Sequence, residues 1–156
     1  MDYKDIVLVA EEYEKIDGRV ACQSQTKMLS LGQEQRDQQQ AEIIAKIWNK
    51  DNKDNKEALF TAIELPLHQV LDLAIFSCQM LLYFQHAYRF PKLYDPENPS
   101  VERIGLQGSV LPVSVCVDNP MIDADIQKFS QIISDDGEMI GERLRALSRQ
   151  MKEMGY

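Results

Sequence analysis

The chain has two histidines, His68 and His86, and both lie on one stretch, IELPLHQVLDLAIFSCQMLLYFQHAYRF, from Ile63 to Phe90. His68 is followed four residues later by Asp72, a spacing at which two side chains on one helix face share a hydrogen bond or a ligand. Projected at about 100° per residue, His68, Asp72, Gln79, Tyr83 and His86 fall in one sector, with Glu64 at its edge. Such a polar lane could bind a small ligand. It could not hold a metal within the helix, because His86 lies about 27 Å from His68 and Glu64 about 12 Å from Asp72 along the axis. Cys78 and His86, eight residues apart, are too distant to act as nucleophile and base. No HExxH, GxSxG, ExxH di-iron or Gly-rich phosphate motif occurs. The lane residues are therefore ligand-binding candidates, and no catalytic residue, metal or cofactor is expected.

The element carrying this lane should be a helix. From Leu73 to Tyr88 it holds no Asp, Glu, Lys or Arg, but a membrane span needs roughly 20 apolar residues, and Ser77, Gln79, Gln85 and His86 interrupt this one. The expectation is the buried central helix of a bundle, with no membrane partner.

Other segments also read as helical. Ile6, Val9, Ala10, Tyr13 and Ile16 repeat at helical spacing over Asp2 to Ile16, where Asp17-Gly18 breaks the run. Arg19 to Trp48 lacks proline and reads as a thinly apolar helix with a Gln-rich middle. NKDNKDNK, residues 49–56, is a polar linker, and the prolines Pro91, Pro96 and Pro99 mark an irregular loop over 91–103. SVLPVSVCV, residues 109–117, alternates valines with small polar residues and is the one strand candidate. In the tail, Ile126, Phe129, Ile132 and Ile133 form one apolar face, and SDDGE supplies caps for a last helix. There Ile140, Leu144, Leu147, Met151 and Met154 succeed one another at spacings of four, three, four and three, a coiled-coil seam two heptads long and a candidate partner-binding surface.

The fold expected from these readings is a single, all-α or nearly all-α domain. It is a helical bundle of four to six helices around the central apolar helix, with one short extended segment near 109–117. A net charge of −8 with a pI near 4.8 opposes nucleic-acid backbones. The basic cluster Arg143, Arg145, Arg149 and Lys152 sits on a segment that also carries Glu138, Glu142 and Glu153, and reads as a solvated mixed face. Cys22, Cys78 and Cys116 form no CxxC, so neither a disulfide framework nor a zinc site is expected. Acidic residues stand where a signal peptide is basic, so a cytoplasmic setting is expected. The function that fits is a non-enzymatic interaction protein, such as an oligomerising subunit, adaptor, inhibitor or assembly factor, whose partner is a second copy or another protein. The alternative is a small-molecule-binding helical bundle or an enzyme with its site along His68, Asp72, Gln79, Tyr83 and His86.

KEALFTAIELPLHQVLDLA, residues 56–74, resembles the AxxxPL helix of the formiminotetrahydrofolate cyclodeaminase and methenyltetrahydrofolate cyclohydrolase family. NPSVERIG and GSVLPVSVCVDN resemble the segments that come after that helix in the family. The resemblance implies an all-helical dimer acting on folates. That family's glycine-rich N-terminal segment has no counterpart here, and no catalytic residue is carried over.

Overall fold

The structure is a computed structural model and describes residues 4–17, 25–36, 40–50, 60–87 and 93–156. Among these residues the fold is mixed α/β, with six strands in two antiparallel sheets and four helices, not the all-α helical bundle expected. The chain divides into two compact units, Met1–Ile75 and Phe76–Tyr156.

The first unit is an antiparallel meander of β1 (Ile6–Ala10), β2 (Thr26–Gln35), β3 (Ala41–Lys50) and β4 (Phe60–Pro66), with α1 (Tyr13–Asp17) between the first two strands. The pairings Met28↔Trp48, Ser30↔Lys46 and Ile47↔Ile63 set the register. Side chains alternate between the faces. Met28, Ser30, Ile44 and Trp48 share one face and are buried. Lys46 and Glu64 stand directly opposite each other on this face, paired at 2.7 Å. The opposite face carries Leu8, Leu29, Leu31, Ile47, Ile63 and Leu65.

These strands replace the helices expected over Asp2 to Ile16 and Arg19 to Trp48. Helical spacing misled because four is both about one helical turn and two strand periods. Ile43 and Ile47, like Ile44 and Trp48, satisfy either geometry. The polar–apolar alternation that marks a half-buried strand was also missing, because both faces of this sheet are largely apolar.

Helix α2 (Leu67–Ala87) begins directly after Pro66, the last residue of β4. The helix expected from Ile63 thus starts at Leu67, since Ile63 to Pro66 extend the sheet. The boundary between the two units falls within α2. It is not a buried central helix, because Ala87 is its one buried residue. Apolar side chains surround it without being enclosed: Leu71 and Leu73 are 54% and 55% exposed.

The second unit contains the hairpin of β5 (Ser100–Leu106) and β6 (Ser109–Ser114), followed by α3 (Ile122–Asp135) and α4 (Gly137–Met154). The extended segment expected near 109–117 is β6, and its partner β5 takes in residues assigned to the proline-rich loop. Pro112 is tolerated because a two-stranded sheet consists only of edge strands. Gln107 and Gly108 turn the hairpin with φ of 54° and 72°. Asn49 and Lys50 of the expected 49–56 linker close β3; its other residues, with Cys22, Gly18 and Pro91, lie outside the described residues.

Candidate interaction surfaces

The lane residues all lie on α2, His68 and Asp72 in the first unit and Gln79, Tyr83 and His86 in the second. His68, Asp72 and His86 are exposed, and Gln79 and Tyr83 are half-buried. The lane is therefore exposed at both ends, with Gln79 and Tyr83 half-buried between them. Among the described residues no cluster of three or more His, Cys, Asp or Glu side chains could hold a metal.

Tyr83 is one of this half-buried pair. Its hydroxyl donates to the Leu93 carbonyl, and its ring meets Phe84 edge to face at 5.9 Å. Burial pushes its phenol above the ordinary tyrosine pKa, and the Glu102 carboxylate adds to the shift. Tyr83 lines a cleft of about 490 Å³ in the second unit, with Phe84, Val113, Cys116, Asp125 and Phe129 around it. Phe84 and Phe129 touch there at 5.1 Å between ring centroids. The walls are almost wholly apolar, and Asp125 is engaged by the Asn119 amide at 2.8 Å. Such a cleft takes an apolar body.

The first unit carries a second apolar surface that no motif marks. The sheet face of Leu8, Leu31, Ile47 and Ile63 borders a cavity of about 480 Å³, to which Val70 and Leu73 of α2 add a wall. Leu8 is 63% exposed and Ile63 54%. An antiparallel sheet normally turns a polar face to water. Here the face that buries Met28, Ile44 and Trp48 also carries the buried Ser30, the half-buried Lys46 and the exposed Glu64, whereas the centre of the open face holds no charge. The clue available in the sequence was TKMLSLGQEQ read at period two, with Leu29 and Leu31 on one side and Met28 and Ser30 on the other.

The partner-binding candidates Ile140, Leu144, Leu147, Met151 and Met154 all lie on α4. Leu144, Leu147, Met151 and Met154 are exposed, Met154 to 66%. By length and composition α2 could cross a membrane. Asp72 and the two histidines along it are the residues such a crossing would have to accommodate at a cost of several kcal/mol.

The folate-enzyme resemblance implied an all-helical fold, and this chain does not have one: residues 60–66 of the resembling stretch form β4. No curated protein and no solved structure matches the chain. Residues 2–156 match the family described as a family of unknown function (DUF6530), and the protein belongs to it.

Proposed function

We propose that this protein is a non-enzymatic interaction protein whose apolar surfaces are completed by another polypeptide, either a second copy or a different protein. The observation that carries this reading is the open sheet face. Burying a Leu or Ile side chain is worth about 1.5–3 kcal/mol, so leaving Leu8, Leu31, Ile47 and Ile63 half in water forgoes roughly 3–6 kcal/mol. That is comparable with the whole stability of a small domain. Exposed apolar area of this kind on an otherwise charged chain marks an association surface. The net charge of −8 directs the association toward protein and away from nucleic acid.

A second reading, a small apolar ligand held in the cleft of the second unit, draws on Tyr83 alone among the five lane residues. It therefore has less support.

The test is absolute mass by light scattering at low micromolar concentration, together with binding of the dye anilinonaphthalene sulfonate under native conditions. The expected result is a species heavier than 17.9 kDa, or a monomer that binds the dye strongly. A 17.9 kDa monomer that leaves the dye dark would mean the apolar faces are closed within the chain, and the reading would fall.

A further inference from the structure

The cleft of the second unit has a sign of charge as well as a shape. Three of the chain's five phenylalanines, Phe76, Phe84 and Phe129, line it together with Tyr83. Phe84 meets both Tyr83 and Phe129 edge to face, so these rings form one connected aromatic wall. Among the described residues that line the cleft, Asp125 is the one with a charged side chain, and no Lys, Arg or His is present. Its carboxylate accepts the Asn119 amide at 2.8 Å, a neutral donor that leaves the negative charge uncompensated. Glu102 reinforces the sign, being close enough to Tyr83 to add to the rise in pKa that burial causes there. At about 490 Å³ the cleft has the volume of a small-molecule site, for which about 300–1,000 Å³ is usual.

We infer that this cleft binds a hydrophobic organic cation, an apolar body capped by a methylated ammonium group, with the cationic end at Asp125 and the body against Phe76, Phe84 and Phe129. The inference rests on the second reading above, that the cleft holds a small apolar ligand, and gives that ligand a charge. The sheet face of the first unit plays no part in it. Walls of this kind select by what they lack. A hydrated metal ion or a primary ammonium gives up strong hydrogen bonds to water on entry, and the apolar walls return too few of them. An ammonium whose hydrogens are replaced by methyl groups gives up far less, and both the ring faces and a nearby carboxylate attract it. An anion meets Asp125 and the chain's net charge of −8, with no cation on the walls to receive it. A neutral hydrocarbon fits the walls but gains nothing from Asp125.

The experiment uses the full chain and three probes that share one body: naphthylmethyl trimethylammonium, its neutral isostere with carbon in place of nitrogen, and naphthylacetate. Equilibrium dialysis measures the affinity of each. Alkylation by iodoacetamide, read by peptide mass spectrometry, locates the site, because Cys116 lines the cleft while Cys78 on α2 does not, and both are exposed. The cation is expected to bind roughly tenfold more tightly than its neutral isostere, with the anion weakest, and to protect Cys116 but not Cys78. Asp125→Asn is expected to bring the cation within about threefold of the neutral isostere. Unchanged affinity for the neutral isostere shows that this variant keeps the cleft. Equal binding of cation and neutral isostere to the unaltered chain, with Cys116 protected, overturns the inference and leaves the second reading in place. Tightest binding by the anion, a preference for the cation that survives Asp125→Asn, or binding that leaves Cys116 unprotected also overturns it. Binding by none of the three removes the inference and the second reading together.

Discussion

The indole N–H of Trp48 donates a 2.8 Å hydrogen bond to the Ser30 hydroxyl across the β2–β3 ladder, and both side chains are buried. The bond is diagonal, since Trp48 stands opposite Met28 and Ser30 opposite Lys46. It lets the chain's one tryptophan be buried with its polar edge satisfied.

Ser30→Ala should therefore cost about 1–3 kcal/mol, because it leaves a buried indole N–H without an acceptor. Urea unfolding followed by tryptophan fluorescence measures this directly. In a Trp48→Phe background, followed by circular dichroism, the same change should cost under about 0.5 kcal/mol. Equal costs in both backgrounds would mean that the hydroxyl acts through something other than the indole.

Gly32 stands opposite Ile6, where β1 begins. A Cβ there would clash with the Asp5 carbonyl oxygen, the same oxygen that accepts the Gln33 N–H at 2.9 Å. Gly32→Ala must push β1 away, at a cost of about 1–3 kcal/mol. Hydrogen exchange should accelerate over Ile6–Ala10 while the β2–β3 ladder keeps its protection. Uniform acceleration would show that β1 is not a separately detachable edge.

The helices were legible in the sequence and the sheet was not, for reasons that lie in particular residues. The apolar faces of α3 and α4 repeat over several turns with polar residues between them, which only a helix satisfies. In β3 the apolar residues fall on both faces, so AEIIAKIWNK presents an apolar run rather than an alternation. In the second hairpin the turn is Gln107-Gly108, which lacks the Asn-Gly or Asp-Gly signature of a tight hairpin, so β5 passed for loop. The seam residues could be named because periodicity within one helix suffices for that. The sheet face could not, because it joins Leu8, Leu31, Ile47 and Ile63 from four strands whose register the sequence does not show.

That turn offers a stabilising change. Both central residues have positive φ, 54° at Gln107 and 72° at Gly108, and Asn bears this conformation better than Gln. Gln107→Asn should raise stability by about 0.5–1 kcal/mol, read as a higher thermal midpoint. Gly108→Ala should lower stability by about 1 kcal/mol. A destabilising Gln107→Asn would show that the Gln side chain makes a contact worth more than the backbone strain.

Tyr83 should impose a pH dependence at the alkaline end. Its folded pKa lies above the ordinary tyrosine value, chiefly through burial and then through Glu102. Above the unfolded pKa, near 10, the unfolded chain loses this proton while the folded chain keeps it. Stability from Tyr83 is thus full below that pH and is lost as pH rises through the folded value. Absorbance at 295 nm should show Tyr83 titrating late together with Tyr94, whose phenol is raised by burial and by Asp123, and Tyr83→Phe should remove Tyr83's share of that phase and flatten the alkaline fall in stability. A late phase of undiminished amplitude in Tyr83→Phe would show that Tyr83 does not contribute to it.

The sheet face gives a sharp distinction between a surface closed by a partner and a core closed within the chain. Ile63 pairs with Ile47 on that face and is 54% exposed. If another polypeptide covers it, Ile63→Lys costs the chain alone little, within about 1 kcal/mol, because a lysine so placed keeps its ammonium in water. In the assembly the same ammonium would be buried without a counterion, a cost of several kcal/mol that the complex cannot bear. The expected outcome is a monomer of near-normal stability that has lost both the heavier species and much of its dye binding. A loss of several kcal/mol by the monomer itself would place Ile63 inside a core that the chain completes unaided, and the partner would have to be sought at α4 instead.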